Sequence, residues 1–564
     1  MKTLLKNGNV LNVFTDTIEK LDVLIEDKKI IGLDYYSDSD ADEVIDLDGK
    51  FVCPGFIDGH IHIESTMLTP SNLAKICLKH GTTSIIADPH EIANVSGLNG
   101  INYMLQASKG LPMNVYLMAS SCVPATPFDE AGAILRSQNL FSIYDNKRIL
   151  GLAEMMNYPG VLSEDADVLK KIEDSIEAGK VVDGHAPLLS GKDLDKYISK
   201  GVSSEHECIS WEEGLERIRK GQWLMIREGT AAKNLEALLP AFDEPYNKRC
   251  LLVTDDKHPA DLINEGHIDA IIKKAAKLGK SPAVAIRMAS LQAAQRFELS
   301  YRGAIAPGYV ADIIIADNID NLNIIDVYRD GKKVVDNGEV LPFAEPVVEQ
   351  TILDKVCKSF NLAELSAEDF AVLAGGPANA RIIKVIPGQI ITDQVIESID
   401  LNTNSGIDVD RDILKLAVIE RHHNTGHIGL GFIKGLGLKG GAIASSVSHD
   451  SHNLIVVGTN DKDMAIAANE VKNNCGGNVV VKDGKVVCMM PLPVGGLMSD
   501  KDVYETAKLN KEIRDAAASL GANEGIEAFM NMAFVSLPVI PHLKMTTTGL
   551  VDVDEFKKVS LFVE

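Results

Sequence analysis

Several features that would indicate particular protein classes are missing from this sequence of 564 residues. Its eight cysteines include no CxxC pair, which argues against a disulfide framework and indicates scattered buried or free thiols. Only 56 lysines and arginines stand against 80 aspartates and glutamates, and the net charge of -24 disfavours binding to nucleic-acid phosphates. The longest apolar runs, such as Ile313–Ala316, are far shorter than the ~20 residues that a membrane span needs.

The first residues, MKTLLKNGNVLNVF, lack the continuous apolar stretch and cleavage pattern of a secretory signal. A hydrophobic content of 45% and a charged content of 24% are typical of a folded globular protein. These features predict a cytoplasmic protein without a nucleic-acid or membrane partner. The length predicts about three domains.

Two short segments, 1–53 and 301–345, have the alternating pattern of β-strands broken by turn residues. Because they flank a long middle segment, we expect them to form one β-sandwich domain. Two unrelated β caps are the alternative.

The middle segment, 54–300, alternates β-rich runs with polar helical stretches, as βαβ units do. An α/β fold, a (β/α)8 TIM-like barrel, is therefore predicted, and an open doubly wound sheet is the alternative. The predicted strands are Gly55–His62, Thr82–Pro89, Asn114–Pro124, Ile149–Met156, Val181–Ala186, Ser203–Glu207, Trp223–Glu228 and Cys250–Asp256.

The remaining segment, 346–564, mixes helical stretches with glycine-rich β segments. We expect helices at Asp410–His422 and Asp461–Asn474. The segment is therefore predicted to be a third domain, of C-terminal α/β type.

Polar residues at the predicted strand ends are the main functional signal. His60 and His62 form an HxH pair, and residues i and i+2 of a strand point to the same face. Four later strands end in a further potential ligand: Glu154, His185, His206 and Asp255. Imidazole and carboxylate groups suit Zn, Mn and Fe ions, and active sites of barrels lie at the carboxyl ends of the strands. A metal site is therefore predicted there.

The ordered ligands and flanking β segments resemble the amidohydrolase superfamily of metal-dependent hydrolases. Within it, several motifs are most similar to the bacterial adenine deaminases, and the resemblance covers nearly the whole length. These motifs are PGFIDGHIHIESTMLTP, ADPHEIANVSG, GLAEMMNYPGV, LLVTDDKHPADL and GAIASSVSHDSHNLIVVG.

The resemblance implies a binuclear centre with two divalent metal ions, most often Mn2+ or Fe2+, with Zn2+ possible. His60, His62, Glu154 and Asp255 would hold one ion, and Glu154, His185 and His206 the other. It also implies hydrolytic deamination of adenine to hypoxanthine and ammonia in purine salvage. Asp255 would transfer the proton and Glu154 would bridge the ions. Separately, we expect the chain to form a homo-oligomer, a dimer.

Other residues near the predicted ligands could have either a functional or a structural role. The family pattern favours Asp255 as the ligand of the TDD motif, and Asp256 is either that ligand instead or a helix-capping or turn residue. A set of polar residues after strands one, two and seven could contact substrate or support the ligands: Glu64, Ser65, His90, Glu91, Arg227 and Glu228.

The histidines of the C-terminal segment have more than one possible role. His422, His423, His427, His449 and His452 could form a further metal site or a lid over the barrel, or else a polar domain interface. Four others show no constellation and are expected at the surface or in loops: His80, His258, His267 and His542.

Two other functions remain open. Another amidohydrolase, acting on a cyclic amide or N-acyl substrate, would share the ligands, although Glu154 and the large C-terminal segment count against it. A metal-free scaffold would have lost ligands, whereas the expected set is complete.

Overall fold

The computed structural model describes residues 1–230, 232–372, 376–387, 389, 391–523 and 525–563. The chain begins with five strands of one sheet: β1 (Lys2–Asn12), β2 (Thr17–Glu26), β3 (Lys29–Asp34), β4 (Glu43–Asp46) and β5 (Phe51–Pro54). Strand β1 is central, because it pairs antiparallel with β2 and parallel with β4 and β5. Alternating apolar residues such as Leu5, Val10 and Val23 form a buried cluster against this sheet.

Eight parallel strands follow: β6 (Phe56–Ile61), β7 (Thr82–Ala87), β8 (Asn114–Ala119), β9 (Ile149–Met155), β10 (Val181–Gly184), β11 (Ser204–Glu205), β12 (Trp223–Arg227) and β13 (Cys250–Val253). Each begins within one residue of its predicted start. The predicted ends run one to five residues too far, because the chain leaves each strand for the loops that carry the polar residues.

Helices lie between and after these strands. They are α1 (Pro70–Lys79), α2 (His90–Ser96), α3 (Leu98–Ala107), α4 (Ser137–Phe141), α5 (Tyr158–Leu162), α6 (Ala166–Glu177), α7 (Gly191–Ser199), α8 (Trp211–Arg219), α9 (Pro259–Asn264), α10 (Ile268–Lys277), α11 (Pro282–Met288) and α12 (Leu291–Arg296). The alternation of strand and helix is the one expected from the sequence.

The eight parallel strands fit a TIM-like barrel. They form one group from β6 to β10 and another from β11 to β13. The groups meet at both edges, where the backbone N–H of Ser203 donates to Val182 O at 3.0 Å and that of Asp255 donates to His60 O at 2.9 Å. Apolar residues from different strands, among them Ile57, fill the interior in one buried cluster.

The chain then returns to the first sheet with β14 (Ile313–Ala316), β15 (Ile324–Arg329), β16 (Lys332–Asp336) and β17 (Glu339–Val340). Strand β14 pairs antiparallel with β5, so that Ile314 lies opposite Cys53. Segments from both sides of the barrel therefore share one sheet of nine strands.

The last part of the chain adds helices, a second sheet of nine strands and a separate sheet of three strands. The helices are α13 (Gln350–Cys357), α14 (Asp461–Asn473), α15 (Val503–Ser519) and α16 (Ala528–Ala533). The strands are β18 (Pro377–Val385), β19 (Thr392–Asp400), β20 (Ile413–Ile419), β21 (Ile428–Lys434), β22 (Ala442–Ser445), β23 (Leu454–Gly458), β24 (Gly477–Lys482), β25 (Lys485–Pro491), β26 (Leu543–Thr546), β27 (Gly549–Asp552), β28 (Lys557–Val559) and β29 (Phe562–Val563).

One secondary-structure prediction in this part is wrong. Asp410–His422 is not helical but contains β20, which lies between β21 and β23 and is buried at every residue. A strand buried on both faces is a continuous apolar run without the alternation that distinguishes a strand from a helix. Helix α14 is where it was predicted, and the Asn460 side chain caps it by accepting from the Asp463 N–H at 2.8 Å.

The C-terminal segment contacts loops at the end of the barrel where the strands finish. Three contacts are His423 Nε2 to Ala131 O at 3.1 Å, His427 Nδ1 to Glu130 Oε1 at 2.8 Å, and the Phe556 ring to the Phe128 ring at 4.8 Å. Two of the late histidines thus lie where the C-terminal segment meets the barrel loops.

His267 lies in the loop before α10, as the sequence allowed, and it is fully buried because its ring bridges two buried polar groups. Its Nε2 lies 3.1 Å from Asp58 Oδ2 and its Nδ1 lies 2.8 Å from Thr82 Oγ1. All eight cysteines are free thiols. Among the described residues, every helix is too short or too polar to span a bilayer.

Candidate metal centre

The side chains predicted as metal ligands come together at one rim of the barrel. They lie at or just after the ends of strands β6, β9, β10, β11 and β13: His60, His62, Glu154, His185, His206 and Asp255. Because parallel strands end on the same side, residues far apart in sequence converge there.

A bulge at the end of β6 positions the first two histidines. The pairing of β6 with β7 shifts register between Asp58 and Ile61, and such bulges re-aim the side chains that follow. A Cβ atom on Gly59 would lie 2.4 Å from Leu251 Cδ1, so a larger residue here would displace that buried side chain. The ring centroids of His60 and His62 lie 4.8 Å apart.

Glu154 lies at the centre of the cluster and is almost fully buried. Its Oε2 is 2.9 Å from His185 Nδ1 and 3.0 Å from His206 Nε2, and its Oε1 is 3.6 Å from His62 Nε2. Burial raises the pKa of this carboxyl, but His185 and His206 outweigh burial and hold it well below its usual value. Glu154 is therefore an anion with one oxygen toward each half of the cluster.

Asp255 makes the corresponding contacts on the other side. Its Oδ1 lies 3.2 Å from His62 Nε2 and 3.6 Å from His60 Nε2, while its Oδ2 accepts from Arg227 Nη1 at 2.8 Å. Burial raises the pKa of Asp255, but the two histidines and Arg227 hold it well below its usual value. The residue has a φ of 60°, the left-handed region that non-glycine residues rarely adopt and that often marks functional sites.

The hydrogen bond of His62 shows that the cluster suits a cation. Its Nδ1 lies 3.2 Å from the carbonyl oxygen of Asp88, which can only accept, so Nδ1 carries the proton. In the neutral ring, Nε2 then presents a lone pair to the carboxylates of Asp255 and Glu154. A lone pair and a carboxylate repel each other unless a proton or a metal ion lies between them.

The pKa of His62 agrees with this arrangement. Burial lowers it, but the hydrogen bond with Asp255 and the charges of Asp256 and Glu154 hold it well above its usual value. His60 adds a second indication, because its buried Nε2 has no hydrogen-bond partner among the described residues. A divalent cation would satisfy these donor atoms, so the residues present fit a metal centre.

Sequence reasoning missed two carboxylates that join these groups. Asp88 lies with His62, His90 and Glu154 in one set of potential ligand atoms, and Glu207 lies with His185 and His206 in another. Asp88 lies two residues before His90 in the DPHE motif, and Glu207 directly follows His206. Nearness in sequence to a predicted site residue was the available signal.

The residues predicted to contact substrate or to support the ligands fall into two groups. Glu64, Ser65 and Asp256 line a cavity beside the cluster, and Ser65 Oγ donates to Asp256 Oδ1 at 2.5 Å. Burial raises the pKa of Glu64 to about 7, although the hydrogen bonds that its carboxylate accepts from backbone N–H groups oppose this rise. Arg227 and His90 contact cluster carboxylates, with His90 Nδ1 3.5 Å from Glu154 Oε1.

Glu228 lies outside both the cluster and the cavity. Its Oε1 accepts from Lys274 Nζ at 2.6 Å and its Oε2 accepts from the Leu235 N–H at 3.1 Å. Both oxygens are therefore engaged in contacts that hold the protein together.

These contacts make Glu228→Gln a test of a structural role. We expect E228Q to leave the KM for substrate within about twofold and to lower the free energy of unfolding by about 1–3 kcal/mol, since one buried charge-assisted hydrogen bond is lost. Urea unfolding and steady-state kinetics measure the two effects. A large rise in KM without a loss of stability would instead indicate a substrate contact.

Glu91, His449 and His452 form a further set of potential ligand atoms. The Nδ1 of His452 accepts from the Ser448 N–H at 3.2 Å, so the neutral ring carries its proton on Nε2. Burial lowers the pKa of His452 well below its usual value, which keeps the ring neutral. A ring with one nitrogen protonated and the other already accepting a hydrogen bond is a poor metal ligand. This set is therefore less suited to a metal ion than the cluster around Glu154.

Comparison with known proteins identifies two families in this chain. Residues 51–334 match the amidohydrolase family, and residues 389–557 match the adenine deaminase C-terminal domain. Adenine deaminase of Desulfatibacillum aliphaticivorans is 45% identical over 99% of this chain and 96% of its own length. Adenine deaminase 2 of Carboxydothermus hydrogenoformans is 45% identical over 98% of this chain and 96% of its own length.

Among solved structures, the chain is similar to dihydropyrimidinase from Brevibacillus agri, with a TM-score of 0.48 and 17% identity over 60% of this chain and 96% of that one. The full-length sequence similarity and the two matched families lead to one conclusion. The chain belongs to the adenine deaminase family of the amidohydrolases.

Proposed function

We propose that this chain hydrolyses adenine to hypoxanthine and ammonia at the rim of its barrel. The observation that carries the reaction class is the position of Glu154, one oxygen of which faces His62 and the other His185 and His206. The substrate follows from the relatives named adenine deaminase, which this chain resembles over its full length.

Two divalent cations would occupy this cluster. His60, His62, Glu154 and Asp255 would hold one, and Glu154, His185 and His206 the other. The resemblance to adenine deaminases favours Mn2+ or Fe2+, and the imidazole and carboxylate donors accommodate these ions as well as Zn2+. When bound, such ions lower the pKa of water to about 7 and so supply hydroxide at neutral pH.

Asp255 would move the proton in this reaction. Addition of hydroxide to C6 of adenine and departure of ammonia require a proton to pass from water to the leaving group. The carboxylate of Asp255 lies at the centre and still has free lone pairs, although its Oδ2 accepts from Arg227. Arg227 also donates to Glu207 at 2.8 Å, so it would orient both carboxylates.

Glu64, Ser65, His90 and Arg227 would position the substrate. Glu64 is the strongest of these, because its Oε1 accepts from the Ile92 N–H at 3.1 Å while its buried Oε2 has no partner among the described residues. A carboxylate oxygen of this kind can accept from an N–H group of a purine.

Removal of the metal is the direct test. Protein treated with a chelator should lose ammonia release from adenine to the background level, and Mn2+ or Fe2+ should restore it. Elemental analysis should find two ions per active chain. Turnover of adenine by protein shown to be free of transition metal would contradict the proposal, and turnover of a cyclic amide without adenine would favour another amidohydrolase activity.

We further propose three domains: a β-sandwich from 1–53 and 301–345, the barrel from 54–300, and an α/β domain from 346–564. Pairing of β5 with β14 supports the first, because it joins segments from both sides of the barrel. A homodimeric, cytoplasmic enzyme of purine salvage, without nucleic-acid or membrane partners, completes the proposal.

A further inference from the structure

A cavity lies between the rim of the barrel and the C-terminal segment. It encloses about 670 Å³ of empty space, a figure that includes the part open to solvent. The barrel contributes Glu64, Ser65 and Asp256 to its lining, and the C-terminal segment contributes His449, Phe529 and Phe534. Two parts of the chain that are far apart in sequence therefore enclose one space beside the metal cluster.

The His449 ring is held in a defined orientation on the C-terminal side. It stacks on Phe534 with ring centroids 4.5 Å apart and planes at 17°, and its backbone N–H donates to Ala533 O at 2.9 Å. Its Nδ1 lies 3.8 Å from Glu91 Oε1 and 3.7 Å from Asp450 Oδ1, which is longer than a hydrogen bond. The ring is thus positioned without its polar atoms being satisfied by those carboxylates.

The His449 ring is also neutral. Burial lowers its pKa, and this outweighs the opposing effect of Asp450 and Asp256. A neutral imidazole offers one N–H donor and one acceptor nitrogen. The barrel side offers the acceptor Oε2 of Glu64, which is buried and without a partner among the described residues.

We propose that the C-terminal segment completes the substrate site, with His449, oriented by Phe534, hydrogen-bonding a purine ring in this cavity opposite Glu64. This inference rests on the proposed function. An adenine ring carries acceptor nitrogens and N–H donors around its edge, so an imidazole and a carboxylate together match both kinds of group. Aromatic side chains suit the flat faces of the ring.

The test compares His449→Leu with His423→Leu in metal-loaded, full-length protein. His423 lies at the same contact between segments but does not line the cavity. We expect H449L to raise the KM for adenine, and the Kd for hypoxanthine measured by calorimetry, by about 10-fold, the upper range for one neutral hydrogen bond. H423L should leave both values within about twofold.

Two further variants separate substrate contact from folding. H449Q retains an N–H donor and should recover part of the affinity that H449L loses. Phe534→Leu removes the ring on which His449 stacks and should raise both constants by about 3- to 10-fold, whereas the exposed control Phe556→Leu should not. If H449L does not fold, F534L and F556L provide the comparison.

The outcomes distinguish this inference from the function on which it rests. Active wild-type protein together with unchanged constants in H449L would overturn the role of His449 alone. If H449L is unfolded, equal affinities of F534L and F556L for hypoxanthine would overturn the role of His449. Wild-type protein that neither releases ammonia from adenine nor binds hypoxanthine would overturn the proposed function.

Discussion

Glu154→Gln should reduce ammonia release from adenine to background and lower the metal content below two ions per chain. A glutamine amide has the shape of the glutamate side chain but only one oxygen, and its other terminal atom is a donor. It cannot present an anionic oxygen both to His62 and to the pair His185 and His206, as Glu154 does. Ammonia release and elemental analysis measure the two effects.

E228Q is the matched control for this variant. It makes the same change at another buried glutamate near a strand end, but one whose oxygens contact Lys274 and the Leu235 backbone. E228Q should keep the turnover and metal content of the wild type. If E154Q retained two ions and most of its turnover, Glu154 would not bridge the centre.

The sequence predicted much of the barrel because each strand there has a strong local signal. The apolar runs and the polar residues at their ends give the strand starts to within one residue. The six candidate ligands were identified in the same way, since parallel strands bring their carboxyl ends together whatever the helices between them do. Chemical type and position at a strand end were enough to predict that these side chains come together.

The remaining features depend on tertiary contacts that a local pattern does not contain. Strand β20 is apolar except for Lys415 and shows no alternation, so only its pairing with β21 and β23 decides that it is a strand rather than a helix. His267 is buried because Asp58, which is more than two hundred residues away, lies beside it. The position of His449 at the cavity likewise requires the contact between the C-terminal segment and the barrel.

Asp255→Asn should lower kcat by about 10²- to 10⁴-fold, the range for loss of a positioned proton-transfer group, with a much smaller change in KM. Most of the metal should remain, because His60, His62 and Glu154 are unchanged. The variant removes the negative charge that faces both histidines and Arg227. Steady-state kinetics and elemental analysis on the same preparation separate loss of proton transfer from loss of metal.

Asp256→Asn tests which carboxylate of the TDD motif performs this role. Asp256 accepts from Ser65 and lines the cavity, whereas Asp255 faces His60 and His62. A carboxylate that only helps to position substrate should affect KM more than kcat when its charge is removed, because it contacts the ground state and the transition state alike. A fall in kcat for D256N with near-normal turnover in D255N would reverse the assignment, since proton transfer requires the group that lies at the reacting atoms.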